Sequence, residues 1–460
     1  MRPFGDRIFA LSTPPGTSAV SVIRCSGHEV LKAIGPLLVS SRGGPVQLRP
    51  GRVAVVRVRD PESEDLIDEV VALYFRGPRS YTGEDVVELQ GHGSMVVVRA
   101  IFELLRKCGL RHAQPGEFSR RAFLSGRMGL TEAEGINDLI HAQTEAYARI
   151  AFDHIKGALK KTIRTLRQSL IDLTALIEAN IDFPEDDIDI LDRDTMRKEL
   201  LEIQRTIDSL IGSYDRGRRM RDGIRISIAG RPNAGKSSLL NLLLKSERAI
   251  VSEIPGTTRD TIEESFAHAG ILYRIIDTAG LRHSTDPVES IGIERAREQI
   301  FQADLILYLM DQTASSFEED ERVIEDFPSE KLILVLNKCD QPSLADGQFH
   351  SNPGPIGLSS ISALTGEGVN EMLNRISELV MSTVAPRSQE TILINERHKD
   401  ALQDASERLE SFRLAFDSDI PLDVALIDLY ESTRDLGLVI GEVMTEDILD
   451  RIFEKFCIGK

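Results

Sequence analysis

Residues 230–237 read Gly-Arg-Pro-Asn-Ala-Gly-Lys-Ser, a complete match to G-x-x-x-x-G-K-[ST], and few stretches of this length restrict a fold as tightly. Main-chain N–H groups must turn inward around phosphate oxygens at a helix N-terminus, so the loop calls for a strand before it and a helix after it. Both are present in the pattern. Residues 224–229 (Ile-Arg-Ile-Ser-Ile-Ala) alternate like a strand, and 238–244 open an apolar helix. Lys236 is then placed to reach the terminal phosphates of a nucleotide, and the Ser237 hydroxyl to ligate Mg²⁺.

Further motifs follow in order. Gly256-Thr257-Thr258-Arg259 comes after the first helix and can cover Mg²⁺ with a threonine, Thr258. Asp277-Thr278-Ala279-Gly280 ends an apolar strand and supplies an acid for the Mg²⁺ shell, with the Gly280 N–H aimed at a γ-phosphate. Asn337-Lys338-Cys339-Asp340 ends another. A carboxylate at Asp340 accepts from both N–H groups of guanine, whereas adenine would leave it unsatisfied, a contrast worth a factor of roughly 10⁴ or more. Ser362-Ala363, followed by Leu364, completes the base pocket. Residues 272–276, 305–310 and 332–336 are apolar runs of the kind buried on both faces of a parallel sheet. Together these residues define a GTPase. Leu281 stands where many GTPases carry the glutamine that orients the attacking water, so another group must hold the water.

A chain of 460 residues exceeds one ordinary core and suggests about three domains. Residues 1–118 read as a β-rich α+β domain with strands near 8–11, 19–24, 52–59 and 70–75. Within it, Glu88 alternates with apolar neighbours, where a carboxylate is costly unless paired or functional; a strand edge is the plainer reading. Residues 119–221 turn helical, with long helices over 139–180 and 195–214, separated by an acidic loop at 182–194. Residues 222–383 form the nucleotide domain, and 384–460 are helical again. The expected fold is therefore multidomain, an α/β phosphate-loop GTPase domain with a mostly parallel sheet inserted between the two segments of an all-α domain, behind an α+β N-terminal domain.

The net charge of −18 gives no general attraction to nucleic acid, so any RNA contact must be local. The dense basic run at 216–221 reads first as a solvated linker or helix end, and second as a phosphate patch. Four scattered cysteines without a C-x-x-C pair argue against disulfides and zinc. No apolar stretch approaches membrane-spanning length and the N-terminus lacks a targeting pattern, so the expected location is the cytoplasm, away from membranes.

Beyond the nucleotide motifs the chain carries Thr13-Pro-Pro-Gly16, Ser80-Tyr-Thr-Gly-Glu-Asp85, residues 115–124 (Pro-Gly-Glu-Phe-Ser-Arg-Arg-Ala-Phe-Leu) and Phe456-Cys-Ile-Gly-Lys460. With them it resembles, over essentially its whole length, the tRNA-modifying GTPase family MnmE, also called TrmE. The resemblance implies modification of the tRNA wobble uridine at C5 (carboxymethylaminomethyl or aminomethyl addition). It implies a reduced tetrahydrofolate derivative as one-carbon donor, a homodimer held by the N-terminal folate-binding domain, and an MnmG-type FAD- and NADH-dependent partner in a heterotetramer or larger complex.

The resemblance also assigns residues. Folate maps to Arg24, Glu88, Arg127 and Lys460. GTP maps to Asn233, Ala234, Gly235, Lys236, Ser237 and Ser238, to Ser252, Glu253, Ile254, Pro255, Gly256, Thr257 and Thr258, to Asp277, Thr278, Ala279 and Gly280, and to Asn337, Lys338, Asp340, Ser362, Ala363 and Leu364. K⁺ maps to Asn233, Ser252, Ile254 and Thr257, and the water-orienting acid to Glu289, whose plainer reading is an exposed glutamate at a helix start. Three positions depart from the family pattern: Arg127 where lysine is usual, Leu364 where a long cation is common, and an unusually apolar 438–441. A ribosome-assembly GTPase would share the nucleotide motifs without needing a folate domain. A folate-dependent transferase acting alone would share every visible feature.

Overall fold

The computed structural model describes residues 5–182, 193–246, 264–276, 303–343, 357–384, 392–418 and 420–460. The chain divides into two compact units: Met1–Asn137, His154–Leu191 and Leu414–Lys460 form unit 1, and Asp138–Asp153 and Asp192–Arg413 form unit 2.

Unit 1 opens with β1 (Arg7–Leu11), β2 (Ser18–Ser26), α1 (Val30–Ile34), β3 (Leu38–Val39), β4 (Val53–Arg59), β5 (Leu66–Phe75), β6 (Val86–Gly93), α2 (Met95–Lys107), β7 (Leu110–His112) and α3 (Glu117–Leu124). The seven strands make one sheet in the order β3-β4-β5-β6-β2-β1-β7, antiparallel except for the β1–β7 pair. Side chains alternate across it. Phe9, Ile23, Val56, Val58, Val70, Ala72, Val87 and Leu89 join Val98, Ile101, Leu104 and Leu105 of α2 in one core. Ile8 and Ala10 point the other way, into a smaller cluster with Ala113 and Phe118. Glu88 also lies on that second face. It is not at a sheet edge, as the plainer sequence reading had it, because β6 is hydrogen-bonded to β5 on one side and β2 on the other.

The helical run breaks into α4 (Leu130–His141), α5 (Glu145–Ile155) and α6 (Ala158–Asp182), shorter pieces than one continuous segment over 139–180. Gly157, at φ +83°, ends the second piece in a backbone shape an L side chain rarely adopts. The acidic loop falls almost wholly in 183–192, outside the described residues.

Unit 2 contains α7 (Arg193–Ile211) and α8 (Tyr214–Asp222), followed by β8 (Ile224–Gly230), α9 (Lys236–Ser246), β9 (Glu264–His268), β10 (Ile271–Ile276), β11 (Leu305–Asp311), α10 (Glu318–Ile324), β12 (Leu332–Asn337), β13 (Leu358–Ser360), α11 (Val369–Val384) and α12 (Glu396–Asp417). The basic run at 216–221 forms the end of α8, as the helix-end reading had it, and Arg218 and Arg219 of the run converge with Arg225 of β8 on Asp304 at 3.6–3.8 Å. Six strands form a sheet in the order β13-β12-β11-β8-β10-β9. All pairs are parallel except β9–β10. Leu305, Leu307 and Leu309 of β11 pack with α9 and α11 on one face, while Ile306, Tyr308 and Met310 pack with Ile324 of α10 on the other. Burial on both faces is why these strands read as unbroken apolar runs.

Two helices return the chain to unit 1, α13 (Leu422–Ile440) and α14 (Glu446–Phe453). α13 packs along α6, where Arg167 donates to the Thr433 carbonyl at 3.3 Å and pairs with Glu442. Leu449, Phe453 and Phe456 close over Leu130 and Ala133. Helical segments from before and after the nucleotide fold therefore share a core, as expected for an inserted domain.

Candidate nucleotide and cofactor sites

In unit 2 the phosphate loop leaves β8 at Gly230 and enters α9 at Lys236. Its turn depends on backbone shapes that favour glycine. Gly235 sits at φ +98°, and a Cβ there would collide with the Asn337 side chain. Asn233 is also left-handed, at φ +63°, a region asparagine tolerates better than most residues. The Lys236 ammonium donates to the Gly230 and Arg231 carbonyls, both at 2.8 Å, and burial lowers its pKa. A phosphate bound at the loop would compete for those same donor hydrogens.

Asn337 ties this loop to the base side of the site. Its Nδ2 donates to the Ala234 carbonyl at 2.7 Å, and its Oδ1 accepts from the Ala363 N–H at 2.9 Å. One buried side chain thus fixes three motifs that lie far apart in sequence. Lys338, at φ +70°, pairs its ammonium with Asp311. Burial pushes the Asp311 carboxyl up, yet Lys338 and two bonds from Thr313 hold it below the usual range. Asp340 is exposed beside them. Ser362 is fully buried, its hydroxyl accepting from the Thr365 N–H at 3.1 Å, and Leu364 is 81% exposed. Arg231 of the loop reaches Glu319 at 2.5 Å and Asp320 at 3.8 Å, an anchor the sequence did not suggest. The structure therefore brings together Asn233, Ala234, Gly235, Lys236, Ser237, Ser238, Asn337, Lys338, Asp340, Ser362, Ala363 and Leu364. Residues 252–258 and 277–280, and Glu289, lie outside the described residues.

In unit 1 the second set also converges. Arg24 of β2 stands directly opposite Glu88 of β6 in the sheet register, and their side chains form an ion pair at 2.9 Å. The Arg24 guanidinium lies over the Tyr81 ring at 4.9 Å and over Phe118 at 5.7 Å, and donates to the Gly459 carbonyl at 3.4 Å. The 456–460 segment is not frayed. Gly459 also accepts from the Ser12 hydroxyl at 3.3 Å, and burial together with the Arg24 charge lowers the Lys460 pKa. Glu88, Arg127 and Tyr81 line a cavity of about 580 Å³, a size suited to a small cofactor. The Arg127 Nε donates to the Ser80 carbonyl at 3.1 Å.

Tyr81 and its loop were noticed in the sequence without a role. Their support is a buried charge cluster: Arg121, fully buried, meets Asp6 and Glu117 at 2.8 Å and Glu84 at 3.1 Å. The Ser26 hydroxyl donates to Glu84 at 3.0 Å and the Ser125 hydroxyl to the Thr82 carbonyl at 2.8 Å. No spacing rule brings residues 6, 26, 84 and 121 together; only the sheet order does.

A strand, glycine-rich loop and helix, joined by Asn337 to an N-K-x-D corner on a mostly parallel sheet, define a phosphate-loop GTPase carrying a separate β-rich domain with its own cavity. Comparisons with known proteins specify the group. The family profile described as the MnmE helical domain matches residues 130–457, and that described as the GTP-binding protein TrmE N-terminus matches residues 7–127. The tRNA modification GTPase MnmE of Natranaerobius thermophilus is 41% identical over 456 residues, covering 99% of both chains. That of Aquifex aeolicus is 40% identical over 458 residues, covering 99% of this chain and 100% of its own. The chain belongs to the MnmE family of tRNA modification GTPases. Among solved structures, the G domain of the T. maritima FeoB iron transporter is 26% identical, covering 34% of this chain and 97% of that one, with a TM-score of 0.23 that carries no weight.

Proposed function

We infer that this chain hydrolyses GTP in unit 2 as part of a tRNA modification reaction, and that unit 1 carries the one-carbon donor for that reaction. The single observation that carries the reading is the coexistence in one chain of an Asn337-braced phosphate loop and a separate cavity lined by Glu88 and Arg127. A ribosome-assembly GTPase would have no use for the second site. The reaction is addition at C5 of the wobble uridine, performed with an FAD- and NADH-dependent partner of the MnmG type, in the cytoplasm, by a homodimer joined through the N-terminal domain. We assign the chain four segments: 1–118 for folate and dimerisation, 119–221 and 384–460 for the helical domain, and 222–383 for GTP.

In unit 2, Lys236 and the loop N–H groups hold the β- and γ-phosphates and Asp340 selects guanine. The Ser237 hydroxyl, at the first turn of α9, is a hard oxygen donor of the kind Mg²⁺ takes, with Thr258 as its companion. Asn233, held in the loop by its left-handed backbone, offers an amide oxygen to K⁺, with Ser252, Ile254 and Thr257. Bound there, the monovalent cation would supply positive charge that other GTPases draw from an arginine. Glu289 orients the attacking water.

In unit 1, Glu88 can accept from the amino and ring N–H groups of a pterin. The cations Arg24, Arg127 and Lys460 suit carbonyl and carboxylate oxygens, and the Arg127 fork donates in a plane where a lysine would not. Nucleoside analysis of tRNA from cells lacking the chain tests the whole reading. The C5-modified wobble uridine should disappear, returning with the parent chain but not with Lys236→Ala or Glu88→Ala. Unaltered wobble uridine in the deleted strain would contradict the assignment.

A further inference from the structure

The cavity of unit 1 does not end at the ion pair. At Glu132 it adjoins a second concavity of about 590 Å³, lined by Lys156 just before α6 and by Lys160, Lys161, Arg164 and Gln168 on it. Residues 156–167 hold five cations, Lys156, Lys160, Lys161, Arg164 and Arg167, and no acid, in a chain whose net charge is −18. Lys160 and Arg164 stand four residues apart on α6 and so lie on one face of the helix, while Lys156 precedes it, on the far side of Gly157.

Glu132 stands at the junction without cancelling this charge. It accepts from Lys160 at 2.9 Å and from the Gly129 N–H. Burial raises its pKa, but those contacts and the nearby Arg164 hold it low. Arg164 lies 3.7 Å from Glu442 and stays 60% exposed, and Lys161 is exposed beside it. The lining charges of the concavity, four cations against Glu132 and Asp172, leave it net positive.

We propose that this groove is the subsite for the oligo-γ-glutamate tail of a polyglutamylated reduced folate whose pterin occupies the adjoining cavity. The inference rests on the cofactor reading given above. Its support is continuity and spacing. The groove begins at Glu132, the residue it shares with the cavity, and Lys160 and Arg164, four residues apart on α6, are separated by about 6 Å along the helix axis. An extended γ-glutamyl unit repeats its carboxylate on the order of every 6 Å by standard bond lengths. A tail running along α6 therefore presents carboxylates in step with the cations, while Gln168 supplies a neutral donor. A groove of this volume suits a single flexible oligoanion rather than the broad face of an RNA duplex.

The test is calorimetric titration of the full chain with 5-formyltetrahydrofolate as the monoglutamate and as the tri-γ-glutamate, for the parent and for the exposed double variant Lys161→Ala/Arg164→Ala. The parent should bind the triglutamate about tenfold or more tightly than the monoglutamate at low ionic strength, with the gap closing as salt rises. The double variant should shrink the gap to about twofold while leaving monoglutamate affinity unchanged. Equal affinities of the two forms in the parent, with measurable binding, would overturn the tail subsite and leave the cofactor reading standing. Absence of binding by either form would overturn both. A variant that keeps the full triglutamate advantage but binds tRNA more weakly would reassign the groove to RNA phosphates.

Discussion

The phosphate loop of unit 2 and the cavity of unit 1 are built by opposite means. In unit 2 the phosphate cradle comes from one contiguous stretch, 230–237, whose shape follows from glycine positions and whose donors are main-chain N–H groups. In unit 1 no two of the key side chains are neighbours in sequence. Arg24 meets Glu88 across 64 residues and the Gly459 carbonyl across 435, brought together by strand register and by the return of α14. A local motif keeps its geometry if its strand and helix form. A register-built site survives only if the whole sheet does.

That contrast can be broken experimentally. The largest effect should come from Lys236→Ala, which removes the phosphate cation and should slow GTP turnover by about 10²-fold or more, with folate affinity unchanged. A parallel loss of folate binding would show that the sites are not independently built. Next is Arg121→Met. It leaves Glu84 and Glu117 buried beside a neutral side chain, and should cost about 3–5 kcal/mol, confined to unit 1 and visible as faster amide exchange in β1, β2 and β6. Equal loss of protection in β8 and β11 would contradict separate cores.

Asn337→Ala should cost less, about 1–3 kcal/mol. It frees the Ala234 carbonyl and the Ala363 N–H, so GTP affinity should fall roughly tenfold. Unaltered affinity would mean that the loop holds its shape unaided.

The smallest effect concerns acid. Contacts with Arg111 and Arg121 hold Asp6 and Glu117 below their ordinary values, against the burial that pushes them up. They therefore stabilise unit 1 fully above their unfolded values near 3.8 and 4.5, and that stability is lost as pH falls through the lower folded values. Asp320 of unit 2 is raised instead, chiefly by burial, so its contribution is present below its unfolded value and is lost as pH rises. As pH falls below those ordinary values, amide protection should weaken first in unit 1. The reverse order would contradict the cluster's role.

The same contrast explains what could be read from the chain. The phosphate loop, the strands 305–310 and 332–336 and the guanine corner were legible because each is local and periodic. The structure extends β12 to Asn337, the residue whose side chain binds the motifs together, and no motif rule announces that contact. The Glu88 carboxylate was visible as an anomaly, but its pairing with Arg24 depends on the order β6-β2-β1, which alternation alone does not specify. Arg121 looked like an ordinary helical arginine because its three carboxylates come from a terminus, a loop and its own helix. The 456–460 segment could be given a role only through family resemblance, since nothing in its composition shows that Gly459 packs against Leu11 and Ser12.

The most direct test of the proposed folate site in unit 1, separate from the GTP site of unit 2, is a single titration series: 5-formyltetrahydrofolate against the parent, Glu88→Ala and Lys236→Ala. Removing Glu88 takes away the carboxylate acceptor and leaves Arg24 without its partner, so affinity should fall by about 10- to 100-fold, corresponding to about 1.4–2.7 kcal/mol, while Lys236→Ala binds like the parent. Parent-level binding by Glu88→Ala, or no binding by the parent, would contradict the placement of the one-carbon donor in unit 1.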